Sequence, residues 1–268
     1  PEFTAAIGLN PSGLQPSTSG FQLHGPATVV AHTPWREGAY DVAYDLRVDT
    51  SYRERARHHT TTAAAIAALH AASVSASVSP LSTLNSRLKT ATSCVAVFFP
   101  SYAYAELIAR ELDRNHPGLR VAQQPRLTDL AAQTAWVEES LALTDALFLV
   151  LGSSFAESID LLGGRITHAM VVGPALPEVN AVQRARLAEF SALGREAAFR
   201  RVYQIPGMAK VNQALGRLVR APGQRARVLL HCRRFAELSY AKLLASDYQF
   251  GKNLLDDADL AHWLAITP

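Results

Sequence analysis

The chain has 268 residues, enough for one large or two small domains with a proper core, and its 49% hydrophobic and 18% charged content is ordinary for a globular protein. Its two cysteines, Cys94 and Cys232, exclude a disulfide scaffold and a four-cysteine zinc or iron–sulfur site within these residues. The net charge of +3 hides an uneven distribution: twelve of the 26 Lys/Arg fall between Arg184 and Arg234, against two acids, Glu189 and Glu196. Such a stretch is either a solvated face or a surface for phosphates, from nucleic acid, nucleotide or both. No apolar segment reaches the ~18–20 residues of a membrane span. The first residues are neither basic nor followed by an apolar run, so no signal peptide is expected. The expectation is a cytoplasmic protein without a membrane partner.

In chain order, residues 1–45 read as an irregular segment, with turn chemistry at Asn10-Pro-Ser-Gly and Pro16-Ser-Thr-Ser-Gly. Val42–Val48 alternates like a strand. Arg53–Ala72 reads as a helix with an alanine-rich buried part, and Ser73–Ser82 as a loop. A regular alternation follows: strand Cys94–Phe99, helix Ser101–Asn115, strand Leu119–Gln123, helix Thr128–Leu143, strand Ala146–Leu151 and strand Thr167–Val172. Cys94 reads as a small core residue. A helical stretch Ala181–Val202 leads to the helix bearing Gln213, then a last strand, Arg227–His231, and a last clear helix, Phe235–Leu244. Residues 251–268 read as a tail. Strands that are apolar along their length and separated by helices predict an α/β fold with a mostly parallel sheet covered on both faces. Function in such sheets gathers in loops at the strand carboxyl ends.

Three stretches carry candidate chemistry. Phe98-Phe99-Pro100-Ser101-Tyr102 places Ser101 to cap the next helix, whose start also offers amides and hydroxyls to a phosphate. Leu151–Leu161 follows the most apolar strand and carries Glu157 and Asp160, three apart. They read either as acids favoured at a helix start or as a pair for acid–base work, metal binding or orienting partners. On a continuous helix, Gln213, Arg217 and Arg220 share one face at i, i+4 and i+7, while Val211, Leu215 and Leu218 share the nearly opposite one. Two guanidiniums and an amide on one face suit a triphosphate, and Gly216 between them permits close approach. The chain has no phosphate loop of the form GxxxxGK[ST].

FFPSY, GSSFAESIDLLGGR with VVGPALP after it, and QALGRLVR with LHCRRF after it resemble, in this order, motifs IV, V and VI of the DinG/XPD-type DNA helicases. The resemblance extends over roughly residues 1–250: Phe3-Thr-Ala-Ala-Ile-Gly-Leu is similar to the segment after the family's Ser-Ala-Thr motif, and Asp49-Thr-Ser-Tyr-Arg53 to its approach to the first helix. It implies that residues 46–250 form the second RecA-like motor domain. ATP and Mg would be bound mainly by a first motor domain outside this sequence, which would also carry any iron–sulfur cluster. Gln213, Arg217 and Arg220 would face the γ-phosphate, the two arginines as finger candidates. Gly216, Glu157 and Asp160 would border the nucleotide cleft, the carboxylates linking it to the DNA track. Ser101, Tyr102, Ser154 and Arg165 would contact single-stranded DNA. The implied whole is a monomeric helicase moving 5′ to 3′, with this fragment alone inactive as an ATPase.

Ser158 stands where the family has glycine, Gln224-Arg225-Ala226 where it has Asp-x-Gly, and Cys232 where it has Asp. These departures motivate an alternative, a nucleic-acid-binding module whose motor chemistry has decayed. A third reading is a small-molecule α/β enzyme using Glu157 and Asp160 as acid and base.

Overall fold

A computed structural model describes residues 33–78, 92–155 and 161–266. Seven strands make the sheet: β1 (Tyr40–Asp45), β2 (Val95–Phe99), β3 (Val121–Gln123), β4 (Ala146–Val150), β5 (His168–Val171), β6 (Ala226–Leu230) and β7 (Lys252–Leu254). Their order is β3-β4-β2-β5-β6-β1-β7, and every pairing is parallel. In the centre, Val97 lies opposite Phe148 on one side and Met170 on the other.

The apolar strands follow from burial on both faces. Ala96 and Phe98 of β2 join the core beneath α3 (Leu130–Leu143) and α6 (Ile205–Leu215), through Val137, Leu141, Met208 and Val211. Val95, Val97 and Phe99 join the opposite core beneath α1 (His59–Val78), α2 (Tyr102–Asn115) and α8 (Asp257–Ala265). With a two-residue period, neither face of a central strand can be polar.

The structure corrects several expectations. The irregular start does not extend to residue 45, because Tyr40–Asp45 form β1 between β6 and β7, two residues earlier than the strand expected at Val42–Val48. Helix α1 runs to Val78 instead of yielding to a loop at Ser73. The Ser75 and Ser77 hydroxyls donate to the carbonyls of Ala71 and Ser73 (3.0 and 2.8 Å), so these two serines are satisfied within the helix, while Ser73 is buried. The stretch 181–202 is broken into α4 (Ala181–Glu189), a 3-10 turn (Ser191–Leu193), α5 (Arg195–Phe199) and a π turn (Arg200–Gln204). Gly194, at φ +83°, separates α4 and its 3-10 turn from α5. Phe235–Leu244 contains only α7 (Leu238–Ala241) after a 3-10 turn.

A further correction concerns the end of the chain. The strand at residues 226–230 is not the last, because residues 252–265 supply β7 and α8. Arg227 anchors α8 from inside the sheet. Only 1% exposed, it donates to Asp41 (2.8 Å) and to the carbonyls of Leu264 and Ile266, while Trp263 Nε1 donates to Asp41 (2.9 Å).

Candidate functional site

At the carboxyl edge of the sheet, loops after six strands bring hydroxyls and cations into a row. Ser101 caps α2, its Oγ accepting the Tyr104 amide at 3.3 Å. The Tyr102 hydroxyl accepts from Gln124 Nε2 at 2.6 Å, and the Arg126 guanidinium lies over its ring at 4.6 Å. Buried Gln124 also accepts the Val150 amide (2.8 Å) and lies 3.1 Å from the Ser153 hydroxyl. One side chain thereby joins the ends of β2, β3 and β4. Exposed Ser154 accepts from Gln133 Nε2 of α3 at 2.9 Å. Gly152, at φ +76°, lies so close to α6 that a Cβ there would come within 2.6 Å of the Lys210 side chain.

Farther along this edge, Arg233 donates to Asp49 (2.6 Å) and Arg234 to Thr50 (3.3 Å), binding the loop after β6 to the loop after β1. The Thr50 hydroxyl fills the space a Cβ on Gly173 would need, which brings in the loop after β5. Asp49 is held below the usual carboxylate range despite the desolvation of its site, because it accepts from Ser51 and faces Arg233. Beneath the row, Asp45 lies 2.7 Å from His231 Nδ1, and His231 Nε2 lies 2.9 Å from the Thr62 hydroxyl. Burial opposes ionisation of Asp45, but its hydrogen bonds to Arg47 and His231 outweigh it and hold the carboxyl well below its ordinary range. All three groups are sealed from solvent, so this Thr–His–Asp arrangement braces β1, β6 and α1 and has no access to a substrate.

Gln213, Arg217 and Arg220 do not share a helical face. Helix α6 ends at Leu215 with Gly216 as its cap, leaving only Gln213 on the helix. The chain continues through tight turns, the amides of Arg217 and Leu218 donating to Ala214 and Leu215 (3.3 and 3.1 Å). Gly216 weakens the helix, and Pro222 disfavours helical geometry at Ala221. The expected apolar stripe is buried: Val211, Leu215 and Leu218 have no exposed surface. Gln213 and Arg220 are exposed and Arg217 is half-buried.

The position of this segment also differs from expectation. It leads into β6 and therefore lies at the amino edge of the sheet, opposite Ser101, Tyr102 and Ser154. The Leu215 carbonyl accepts from the hydroxyl of Tyr40, the first residue of β1, at 2.9 Å. A Cβ on Gly163 would come within 2.6 Å of Arg220 Cγ, and the Gly164 amide donates to Leu218 O at 3.1 Å. The two glycines therefore admit the arginine segment against the strand that follows them. Arg165 lies at this same edge, its carbonyl accepting the Thr92 amide at 3.0 Å just ahead of β2, so its backbone is remote from the other three candidates for DNA contact.

Glu157, Asp160 and Ser158 lie outside the described residues, in the segment joining the Gly152–Ser154 loop at one edge to Gly163–Gly164 at the other. Gln224, a departure from the expected motif, has a local function. Its Oε1 accepts the amides of Arg220 (2.7 Å) and Ala221 (3.1 Å), and its amide packs over Gly164. Sequence reasoning missed Gln124, Gln133 and Lys210. Only Lys210 left a signal, standing one turn before Gln213 on the same helix. Gln124 and Gln133 act through contacts remote in sequence. Among the described residues, no three His, Cys, Asp or Glu side chains gather as a metal site, and no helix is long and apolar enough to cross a membrane.

The parallel seven-stranded sheet, covered by helices on both faces, is a RecA-like α/β fold. The model of the helicase C-terminal domain matches residues 84–249, more than half of the chain, which therefore belongs to that family. Three XPD structures are similar. One XPD helicase structure has a TM-score of 0.60 and 19% identity over 80% of this chain and 35% of its own. An apo XPD structure has a TM-score of 0.55 and 15% identity over 81% and 40%. Xpd4 of S. tokodaii has a TM-score of 0.51 and 19% identity over 92% and 43%. The chain thus spans about two fifths of the length of these structures. No curated protein matches it.

Proposed function

We propose that this domain is the second motor half of an ATP-dependent DNA helicase, its amino edge closing on ATP held by a first motor domain and its carboxyl edge holding single-stranded DNA, with 5′ to 3′ movement. The observation that carries this reading is the separation of two chemistries on one rigid sheet. Arg217 and Arg220 stand at the amino edge, against Gly163 and Gly164. The row of hydroxyls and cations from Arg126 to Arg234 stands at the other edge.

The residues fit a supporting share in nucleotide chemistry. On this reading the main ATP and Mg site belongs to the first motor domain, which is consistent with the lack of a GxxxxGK[ST] phosphate loop in this sequence. ATP bound by the first domain supplies the scissile phosphoanhydride. Arg217 and Arg220 would place positive charge where negative charge develops on the transferred group, and Gln213 would add an amide beside them. Gly216 lets the chain turn there, and Glu157 and Asp160 lie in the segment joining this edge to the DNA-facing one. Ser101, Tyr102 and Ser154 would donate to backbone phosphates from positions already fixed by hydrogen bonds to the scaffold. Arg165, at the nucleotide edge, would act there rather than on DNA.

The test is ATP turnover by the intact enzyme. Arg217→Ala or Arg220→Ala should lower DNA-stimulated turnover by roughly 10³-fold, within the range of arginine fingers, while ATP binding stays near normal. Near-normal turnover in both variants would leave the alternative, a binding module with decayed motor chemistry. DNA-independent turnover by this fragment alone would favour the small-molecule enzyme.

A further inference from the structure

Tyr52 is the most exposed aromatic side chain near the carboxyl edge, at 83%. An exposed tyrosine alone means little, but this one ends a stack. The Arg55 guanidinium lies 4.8 Å from the Tyr52 ring centroid and 4.8 Å from that of Tyr104. Tyr104 is buried, packs at 5.8 Å against Phe99 and donates its amide to Ser101 Oγ. The stack thus runs from the core to the surface as Phe99, Tyr104, Arg55 and Tyr52, and starts beside a proposed phosphate contact. The backbone under Tyr52 is anchored too: the Ser51 amide donates to Asp49 at 2.8 Å, and Asp49 accepts from Arg233.

This arrangement overcomes the usual objection to a surface aromatic as a ligand site, the entropy lost when a mobile ring is immobilised. One side of the Tyr52 ring is already occupied by a guanidinium, itself held against a core ring. We infer that Tyr52 is a base-stacking platform for single-stranded DNA, receiving one base on its ring while the neighbouring row of hydroxyls and arginines receives the phosphates. The inference rests on the proposed DNA-binding role of this edge and adds a contact to the base, where the row provides only contacts to the backbone. Stacking of this kind is tolerant of sequence, because every base presents a π face.

The experiment measures binding of fluorescently labelled oligo(dT), and of the same oligomer with abasic sites, across a salt series. The proteins are the 268-residue chain and its Tyr52→Ala and Tyr52→Phe variants. Tyr52→Ala should weaken oligo(dT) binding about tenfold, within the range of one base–aromatic stack, with an unchanged salt slope because no phosphate contact is lost. Tyr52→Phe should bind like wild type, and the abasic oligomer should bind wild type and Tyr52→Ala equally. Equal oligo(dT) affinity in wild type and Tyr52→Ala would overturn the stacking inference alone. Failure of the wild-type chain to bind any single strand would overturn both the inference and the DNA-binding role. A fall in salt slope for Tyr52→Ala would show that the site holds a phosphate through the Arg55 neighbourhood, and would also overturn the stacking inference.

Discussion

The two edges of the sheet hold their candidate residues in different ways. At the carboxyl edge the side chains themselves are fixed: Tyr102 by Gln124, Ser154 by Gln133, Arg233 by Asp49. At the amino edge the backbone around Arg217 and Arg220 is fixed, through the Gly164 amide on Leu218 and Gln224 on the amides of Arg220 and Ala221. A surface that tracks a repeating phosphate backbone gains from preset donors, because less ordering entropy is lost on binding. On the proposed reading, an arginine that completes a site on another domain needs a fixed root. On the same reading, a rigid sheet between the two edges is what lets nucleotide state change grip on DNA.

Breaking the root of the amino edge should have the largest effect after removal of the arginines. Gln224→Ala removes the acceptor for two backbone amides, and turnover by the intact enzyme should fall about tenfold, the equivalent of one lost hydrogen bond of about 1.4 kcal/mol. DNA affinity, measured by fluorescence anisotropy, should not change. An equal loss in both assays would mean that the edges do not act separately.

The converse change is Gly152→Ala. Its left-handed backbone and the nearby Lys210 side chain both oppose a Cβ, and a non-glycine residue in that conformation costs on the order of 1–2 kcal/mol. DNA affinity should fall severalfold while basal ATP turnover in the absence of DNA stays unchanged. Retained affinity would remove Lys210 from the proposed DNA surface.

The edges should also titrate differently. Burial, reinforced by Arg227, lowers the pKa of His168 at the start of β5 to about 4. The unfolded chain then binds this proton more readily than the folded one. Stability linked to His168 is complete above the ordinary histidine value of about 6.5 and is lost as pH falls toward 4, by at most about 1.4 kcal/mol per pH unit. Asp45, at the end of β1, is depressed, so its contribution is present above the ordinary carboxylate value of about 3.9 and is lost only at lower pH. Denaturant melts from pH 7 to 3 should show the first slope disappear in His168→Asn and persist in Asp45→Asn. Persistence of the first slope in His168→Asn would assign it to another group.

Much of this arrangement was legible in the sequence. Uninterrupted apolar strands such as Ala146–Val150 announced a parallel sheet covered on both faces, and Ser101 announced the start of α2. The continuous helix through Arg220 misled because Leu215, Leu218 and Val219 keep helical spacing even where the chain has left the helix, so periodicity does not register its end. Gly216 and Pro222 were the available stop signals. The amino-edge position of the arginines was legible in chain order, since their segment precedes the strand at 226–230 and a segment entering a strand of a parallel sheet lies at its amino edge. The roles of Gln124 and Gln133 depend on residues 20 or more positions away, at Tyr102, Val150 and Ser154, and no local pattern marks them.

The separation of the two edges is tested most directly by measuring ATP turnover and single-stranded DNA affinity together in the intact enzyme carrying Arg220→Ala. Turnover should fall roughly 10³-fold while DNA affinity stays within about twofold of wild type. A variant that hydrolyses ATP normally, or that loses DNA affinity in step with turnover, would contradict that separation.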